Sequence, residues 1–194
     1  MSPADSSDER IVRLRQSVLN APVVWKDDYA YFVHPLTDGV PRQSAVMLQE
    51  ARDIVLEMVD WEQVDLILGI EAMGIPLAST LSIATGKPLV IARKRSYGLP
   101  GEVVVDQSTG YSKGRIYLND VNPGDRIFII DDVVSTGGTL RAVLSAVENV
   151  GAILQDVIIV FEKGDKVDEL VAETGWPLRS LVKLKMDGDK VVLL

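Results

Sequence analysis

Ile127–Leu140 reads IFIIDDVVSTGGTL. Ile127–Ile130 has the β-branched and aromatic make-up of a buried strand. Asp131 and Asp132 follow at its C-terminal end, and Ser135-Thr136-Gly137-Gly138-Thr139 lead into a run at helical spacing, Gly138–Val150. In open α/β sheets, ligands bind outside the C-terminal ends of strands. Small residues and two glycines let backbone approach a ligand closely and present several N–H groups together. A helix N-terminus adds partial positive charge, so the loop can cradle one phosphate. The two carboxylates would repel that phosphate, but they are strong acceptors for vicinal hydroxyls. Phosphate at one end of the loop and hydroxyls at the other describe a ribose 5-phosphate. No lysine follows the glycines, which excludes a Walker A loop.

Outward from this segment the same alternation continues. Val64–Gly69, Pro88–Arg93 and Ile153–Phe161 read as strands, and Ile75–Thr85 and Lys166–Thr174 as helices. Continuous apolar runs alternating with amphipathic helices predict an α/β fold with a central, mostly parallel sheet flanked by helices. Leu178–Met186 and Lys190–Leu194 flank Asp187-Gly188-Asp189, the turn of a C-terminal β-hairpin. Toward the N-terminus, residues 1–5 read as a loose tail. Ser6 with Glu9 fits a capping box for a helix carrying Ile11, Leu14 and Val18, which Asn20-Ala21-Pro22 ends. Val23–Pro41 is irregular and aromatic, a packed connector in which Phe32 reads as core and His34 as surface. Ser44 can cap a second helix whose stripe is Val46, Met47, Ala51, Ile54, Val55 and Met58. Between Lys94 and Asp125 the pattern lapses; five glycines fall there and only Arg115–Leu118 looks like a strand. A stretch of that kind is functional or mobile. There is no internal repeat, and the 194 residues form one domain, 1–194.

The composition excludes several function classes. A net charge of −8 disfavours a nucleic-acid partner, which needs a basic face. With no cysteine, disulfides, thiolate metal sites and cysteine nucleophiles are impossible, and the lone His34 rules out a histidine metal cluster. No apolar run nears the roughly 20 residues of a membrane span, and MSPADSSDER is no secretory signal, so a cytoplasmic protein is expected.

Three further stretches carry chemistry. Glu71-Ala72-Met73-Gly74 follows a strand and opens a helix, a second place for backbone amides to meet an anion. Arg93-Lys94-Arg95-Ser96-Tyr97-Gly98-Leu99-Pro100-Gly101-Glu102 concentrates three cations in an acidic chain, with hinge-like punctuation. Tyr31-Phe32-Val33-His34-Pro35-Leu36-Thr37-Asp38-Gly39 offers an aromatic face followed by a polar, Thr-containing stretch.

The Ile127–Leu140 segment resembles the signature of the type I phosphoribosyltransferases, which bind 5-phosphoribosyl 1-pyrophosphate. The resemblance extends over nearly the whole chain. It implies the type I phosphoribosyltransferase fold, with an N-terminal hood (22–43) and a flexible flap (94–125) that includes Thr109–Gly114. It implies that Asp131, Asp132, Ser135, Thr136, Gly137, Gly138 and Thr139 bind the phosphoribosyl group. Glu71, Ala72, Met73 and Gly74, with Arg93 and Lys94, would hold pyrophosphate. Phe32 would stack on a purine, opposite Val133 or Val134. Glu102 would handle a proton beside the base, as a catalytic group with Asp131 and Asp132. Mg²⁺ would be held through substrate oxygens and water, with no direct protein ligand. Adenine phosphoribosyltransferases typically carry Glu-Ala-Arg-Gly where this chain has Glu-Ala-Met-Gly. The combination of motifs resembles an archaeal, adenine-phosphoribosyltransferase-like branch described as hypoxanthine/guanine phosphoribosyltransferase. What it implies is purine salvage: transfer of 5-phosphoribosyl to hypoxanthine or guanine, giving IMP or GMP, by a homodimer. Adenine as the base, and a donor-sensing regulator without catalysis, stay open at this point. Trp25, Trp61 and Trp176 are candidates for buried or interface positions.

Overall fold

The computed structural model describes residues 7–27, 29–108 and 113–194. Along the chain run α1 (Glu9–Leu19), β1 (Val23–Lys26), β2 (Tyr29–Phe32), α2 (Pro35–Asp38), α3 (Ala45–Met58), β3 (Leu66–Ile70), α4 (Gly74–Thr85), β4 (Leu89–Ala92), β5 (Val103–Ser108), β6 (Lys113–Leu118), β7 (Arg126–Val134), α5 (Gly138–Val150), β8 (Ile153–Lys163), α6 (Lys166–Thr174), β9 (Leu178–Asp187) and β10 (Lys190–Leu193). Six strands make one sheet in the order β10-β9-β8-β7-β3-β4. Its neighbours are parallel except β10, which returns antiparallel on β9. The β1–β2 and β5–β6 pairs are separate antiparallel hairpins.

Side-chain alternation along the strands divides the interior into two cores. Ile67, Phe128, Ile130, Ile158 and Val160 pack with Leu14 of α1, Ile54 of α3 and Leu77 of α4. Leu66, Leu68, Ile127, Ile129 and Val157 pack on the other face with Leu140 and Val143 of α5, Leu170 of α6 and Ile116 of β6. Burying each such side chain contributes about 1.5–3 kcal/mol relative to exposure. The chain leaves β3 through α4 to reach β4 on one side, then returns to place β7 on the other side of β3. Adjacent strand ends whose connections diverge leave a crevice, and this one lies at the C-termini of β3 and β7.

Several local expectations are corrected. The central strand does not stop at Ile130; its ladder with β8 continues through Asp131↔Ile159 to Val134↔Glu162. Val133 and Val134 are β-branched, and pairing with β8 keeps them extended. Val23–Pro41 is not irregular: Val23↔Phe32 to Lys26↔Tyr29 form a hairpin, and Pro35–Asp38 a short helix. That pairing depends on the partner strand, which local periodicity does not reveal. Phe32 is core, as the connector reading has it, but His34 is buried rather than on the surface. The cap of α1 is Asp8, which accepts from Arg10 N at 2.8 Å, so Glu9 opens the helix instead of completing a box. Ser6 and the tail 1–5 lie outside the described residues. Ser44 takes the cap position of α3 without a side-chain bond. The stretch after Lys94 holds two strands, not one, and Val103 and Val105 of β5 pack against the α5 core. Within Thr109–Gly114, residues 109–112 fall outside the described residues. Trp61 packs edge-on against Phe128, with centroids 5.1 Å apart, and Trp176 sits against the α5 core. Trp25 is half exposed and donates to Asp189 of the C-terminal turn.

Candidate functional site

The crevice holds a cavity of about 290 Å³. Asp131, Asp132, Ser135, Thr136, Gly137, Gly138 and Thr139 line one side of it, and Glu71, Ala72, Met73 and Lys94 the other. Gly137 takes φ +76° at the cap of α5, a backbone state that side chains disfavour. It turns the chain from β7 into the helix, so the loop's amides gather at the helix N-terminus. Gly74 is required for a different reason. A Cβ there would stand 2.9 Å from Asp131 Oδ1 and 2.9 Å from the Ile130 carbonyl. Only glycine lets the start of α4 lie against the carboxylate end of β7.

Asp131 and Asp132 are both buried. Removal from water pushes Asp131 well above the usual carboxylate range, and the charge of Asp132 pushes it further. Burial lifts Asp132 to about 6; the hydrogen bond from Asp131 opposes that rise, and the Asp38 carboxylate adds to it. Both buried carboxylates rise in pKa because neither charge is fully solvated, and Lys94 across the cavity offsets part of that rise for Asp131.

Glu71 is the hinge of the opposite wall. It accepts from Lys94 N at 2.9 Å, and its carboxylate lies 3.0 Å from Arg93 Nε. The Arg93 Nε–H has no hydrogen-bond geometry to any acceptor, so this contact is an ion pair alone. Arg93 lies outside the cavity wall and also stands 5.7 Å from the Tyr97 ring, with Arg95 5.0 Å from the same ring. The Glu71–Ala72 peptide is cis. Met73, where a cation would stand in the resembling adenine enzymes, reaches under Gly39: a Cβ on that glycine would meet its methyl at 3.6 Å.

A second cavity, about 320 Å³, opens beside the first. Thr37, Val133 and Ser135 line both. Phe32 forms part of its wall while packing edge-on against Phe161, with centroids 5.6 Å apart. Val134 is buried in the α5 core and edges the first cavity. Tyr31, Thr37 and Asp38 of the aromatic stretch read from sequence and the neighbouring Tyr29 join the wall of the second cavity, whereas Lys26, Asp27 and Lys163, which also line it, were not singled out from sequence. Lys163 donates to the Ala30 carbonyl at 2.7 Å and stands 3.8 Å from the Tyr29 ring centroid, tying β2 to the end of β8. The alternating Tyr29 and Tyr31 were the sign of this hairpin in the sequence; its turn residue Asp27 takes φ +53°.

Behind this cavity, His34 caps α2. Its Nδ1 accepts from Leu36 N at 3.2 Å, so the ring proton is on Nε2, which faces Ser17 Oγ at 3.0 Å. Burial pushes its pKa down to about 4. Glu102 lines neither cavity. It accepts from the Ser96 hydroxyl, from Tyr97 N at 2.9 Å and from Asn119 Nδ2 at 3.0 Å. Those donors, the Ser96 hydroxyl first, hold it down to about 2. The β5–β6 hairpin is fixed at two places. Arg93 and Tyr117 exchange backbone hydrogen bonds at 2.9 and 2.8 Å, and Gln107 Nε2 donates to the Thr139 hydroxyl.

The family model of the phosphoribosyl transferase domain matches residues 44–173. A hypoxanthine/guanine phosphoribosyltransferase of Ferroglobus placidus is 50% identical over 182 residues, 93% of this chain and 96% of that one. Another, of Methanotorris igneus, is 45% identical over 93% of this chain and 99% of its own. Among solved structures, the adenine phosphoribosyltransferase of Thermoanaerobacter pseudethanolicus superposes with a TM-score of 0.75 at 22% identity, covering 89% of this chain and 99% of its own. That of Saccharomyces cerevisiae gives 0.71 at 23%, covering 90% and 99%. Likeness at that identity speaks for the fold, while the family model and the archaeal relatives reach the sequence itself. With that model matching most of the chain and relatives at 45–50% identity covering nearly all of it, the chain belongs to the phosphoribosyl transferase domain family.

Proposed function

We propose that this protein transfers the 5-phosphoribosyl group of 5-phosphoribosyl 1-pyrophosphate to N9 of hypoxanthine or guanine, releasing pyrophosphate. The observation that carries the reading is the adjacency of the two cavities, which share Thr37, Val133 and Ser135. A ribose 5-phosphate seated at Ser135–Thr139, with its hydroxyls on Asp131 and Asp132, directs C1 between the Glu71–Gly74 loop and the aromatic cavity. Pyrophosphate then leaves toward Glu71–Gly74, Lys94 and Arg93, and the purine enters against Phe32 and Val133.

The 6-oxopurine edge presents an acceptor at O6 and a donor at N1, whereas adenine presents the reverse. The ammonium groups of Lys26 and Lys163 suit O6; the Asp27 and Asp38 carboxylates suit N1–H and the 2-amino group of guanine. A site that pairs such groups discriminates strongly against the wrong edge. The two relatives bearing the hypoxanthine/guanine name point the same way.

The reaction needs positive charge to develop on the sugar. Asp131 and Asp132 favour it once both are ionised. Glu102 reaches the base with the flap, 94–125, and handles its proton; the Ser96 and Asn119 contacts must be exchanged for that. The hood, 22–43, shields the base from water. Mg²⁺ suits the oxygen-rich lining of this cavity, where it would be held through substrate oxygens and water near the Asp131 and Asp132 carboxylates. Such an ion would supply positive charge that offsets the negative charge building on the leaving group. The same reading makes the protein a cytoplasmic homodimer; no helix among the described residues is long and apolar enough to cross a membrane.

The test is pyrophosphate release from the donor with hypoxanthine, guanine, xanthine and adenine in turn. Turnover with hypoxanthine and guanine is expected. No release with any base refutes the transferase, and a preference for adenine refutes the assignment of the base.

A further inference from the structure

Arg141 is placed where a cation is least expected. It lies in the opening turns of α5, its N–H bonded to the Gly137 carbonyl at 2.9 Å, beside a helix end that already carries partial positive charge. Its guanidinium, though partly exposed, folds back on the loop. Nη1 turns back under the loop and donates to the Thr136 carbonyl at 3.2 Å. A Cβ on Gly137 would stand 3.1 Å from that nitrogen, so the planar group lies against the glycine backbone. The other side of the fork is held by Glu173, at the end of α6, with Nη2–Oε2 at 2.7 Å and Nε–Oε2 at 2.9 Å. Arg141 is not part of the wall of the phosphate-side cavity.

A trans peptide points its N–H opposite to its carbonyl. The Thr136–Gly137 carbonyl faces the guanidinium, so the Gly137 N–H faces away from it, on the open side of the loop. Hydrogen bonds in a chain polarise one another, and a cation on the carbonyl makes the N–H of the same amide a stronger donor. We propose that Arg141 is a positioning residue for the 5-phosphate: from outside the cavity it locks the Thr136–Gly137 peptide and strengthens the Gly137 N–H, with Glu173 holding it in place. This rests on Ser135–Thr139 being the 5-phosphate cradle.

The experiment measures binding of ribose 5-phosphate and, separately, of magnesium pyrophosphate by calorimetry, for wild type, Arg141→Ala, Arg141→Lys and Glu173→Gln. Thermal melting of each checks the fold. Arg141→Ala should weaken ribose 5-phosphate about tenfold, as for loss of one hydrogen bond to a charged group, and leave pyrophosphate within about twofold. Arg141→Lys keeps the charge but not the fork, and should weaken ribose 5-phosphate about threefold. Glu173→Gln loosens the ion pair that holds the fork, so ribose 5-phosphate should bind about twofold more weakly with pyrophosphate unchanged, and unchanged ribose 5-phosphate affinity overturns the holding role of Glu173. Should Arg141→Ala fail to fold, the Lys and Gln variants decide. Unchanged ribose 5-phosphate affinity, or equal weakening of both ligands, overturns the role of Arg141. Absence of ribose 5-phosphate binding by wild type overturns the cradle instead.

Discussion

Replacing Asp132 by Asn should make the ligand-free protein more stable at neutral pH. Asp132 is buried, and its pKa is lifted from 3.8 to about 6. Below about pH 4 the carboxyl is protonated whether the chain is folded or not, and nothing is lost. Between about pH 4 and pH 6 the folded protein holds a proton that the unfolded chain has released, so stability falls as pH rises. Two units at 1.36 kcal/mol each make the loss about 3 kcal/mol, complete above about pH 7. Asn is isosteric with the protonated acid and carries no such penalty. His34 works in the opposite direction. Its pKa is depressed from 6.5 to about 4, so its contribution is full above 6.5 and is lost as pH falls toward 4. That term is common to both proteins and cancels in their difference. Urea unfolding followed by tryptophan fluorescence, at pH 4 and pH 7.5, measures the difference. With a slope of about 2 kcal/mol per molar, Asp132→Asn should raise the midpoint by about 1.5 M at pH 7.5 and hardly at all at pH 4. Its kcat should drop about 100-fold or more, because the sugar loses a charged partner. A variant no more stable than wild type at pH 7.5, or stabilised equally at both pH values, would show that the carboxylate is not penalised by burial.

Three more substitutions probe the site's supports. Gly74→Ala forces a carbon against Asp131 Oδ1 and the Ile130 carbonyl; it should cost about 1–3 kcal/mol by melting, and about 100-fold in kcat/KM from misplacement of the carboxylate. Wild-type kinetics for that variant would deny the close approach. His34→Leu removes the acceptor for Leu36 N and the contact with Ser17, at about 1–2 kcal/mol; it should raise KM for the base more than for the donor, with His34→Asn restoring much of both. Lys163→Met should raise KM for hypoxanthine about tenfold while leaving the weak use of adenine unchanged, as read from competing initial rates.

Much of the site was legible because each part of it is a short contiguous segment. The carboxylates, hydroxyls and glycines of Asp131–Thr139 stand out by their chemistry, and Glu71–Gly74 by its place between a strand and a helix, and the fold brings the two segments to one cavity. Arg93–Glu102 declared its cations but not their positions: Glu102 is tied to Ser96 and Asn119, away from both cavities. The aromatic cavity was scarcely legible. Lys163 lies more than 130 residues from the Ala30 carbonyl it bonds, and Asp27, Asp38 and Lys163 meet only when the β1–β2 hairpin folds over the end of β8.

Hydrophobic period and turn chemistry act over a few residues, so the α/β alternation, the mostly parallel sheet and the C-terminal hairpin follow from the sequence alone. The tertiary structure alone decided three things. β7 runs on through its carboxylates because β8 supplies a partner for Val133 and Val134. The pKa values of Asp131 and Asp132 rise because two folded walls take the carboxylates out of water. A guanidinium and a buried imidazole brace the loops from behind because α6 and α1 pack where their partners are needed. Such effects depend on which distant segments meet and on how much water they exclude, and neither quantity is written in local spacing.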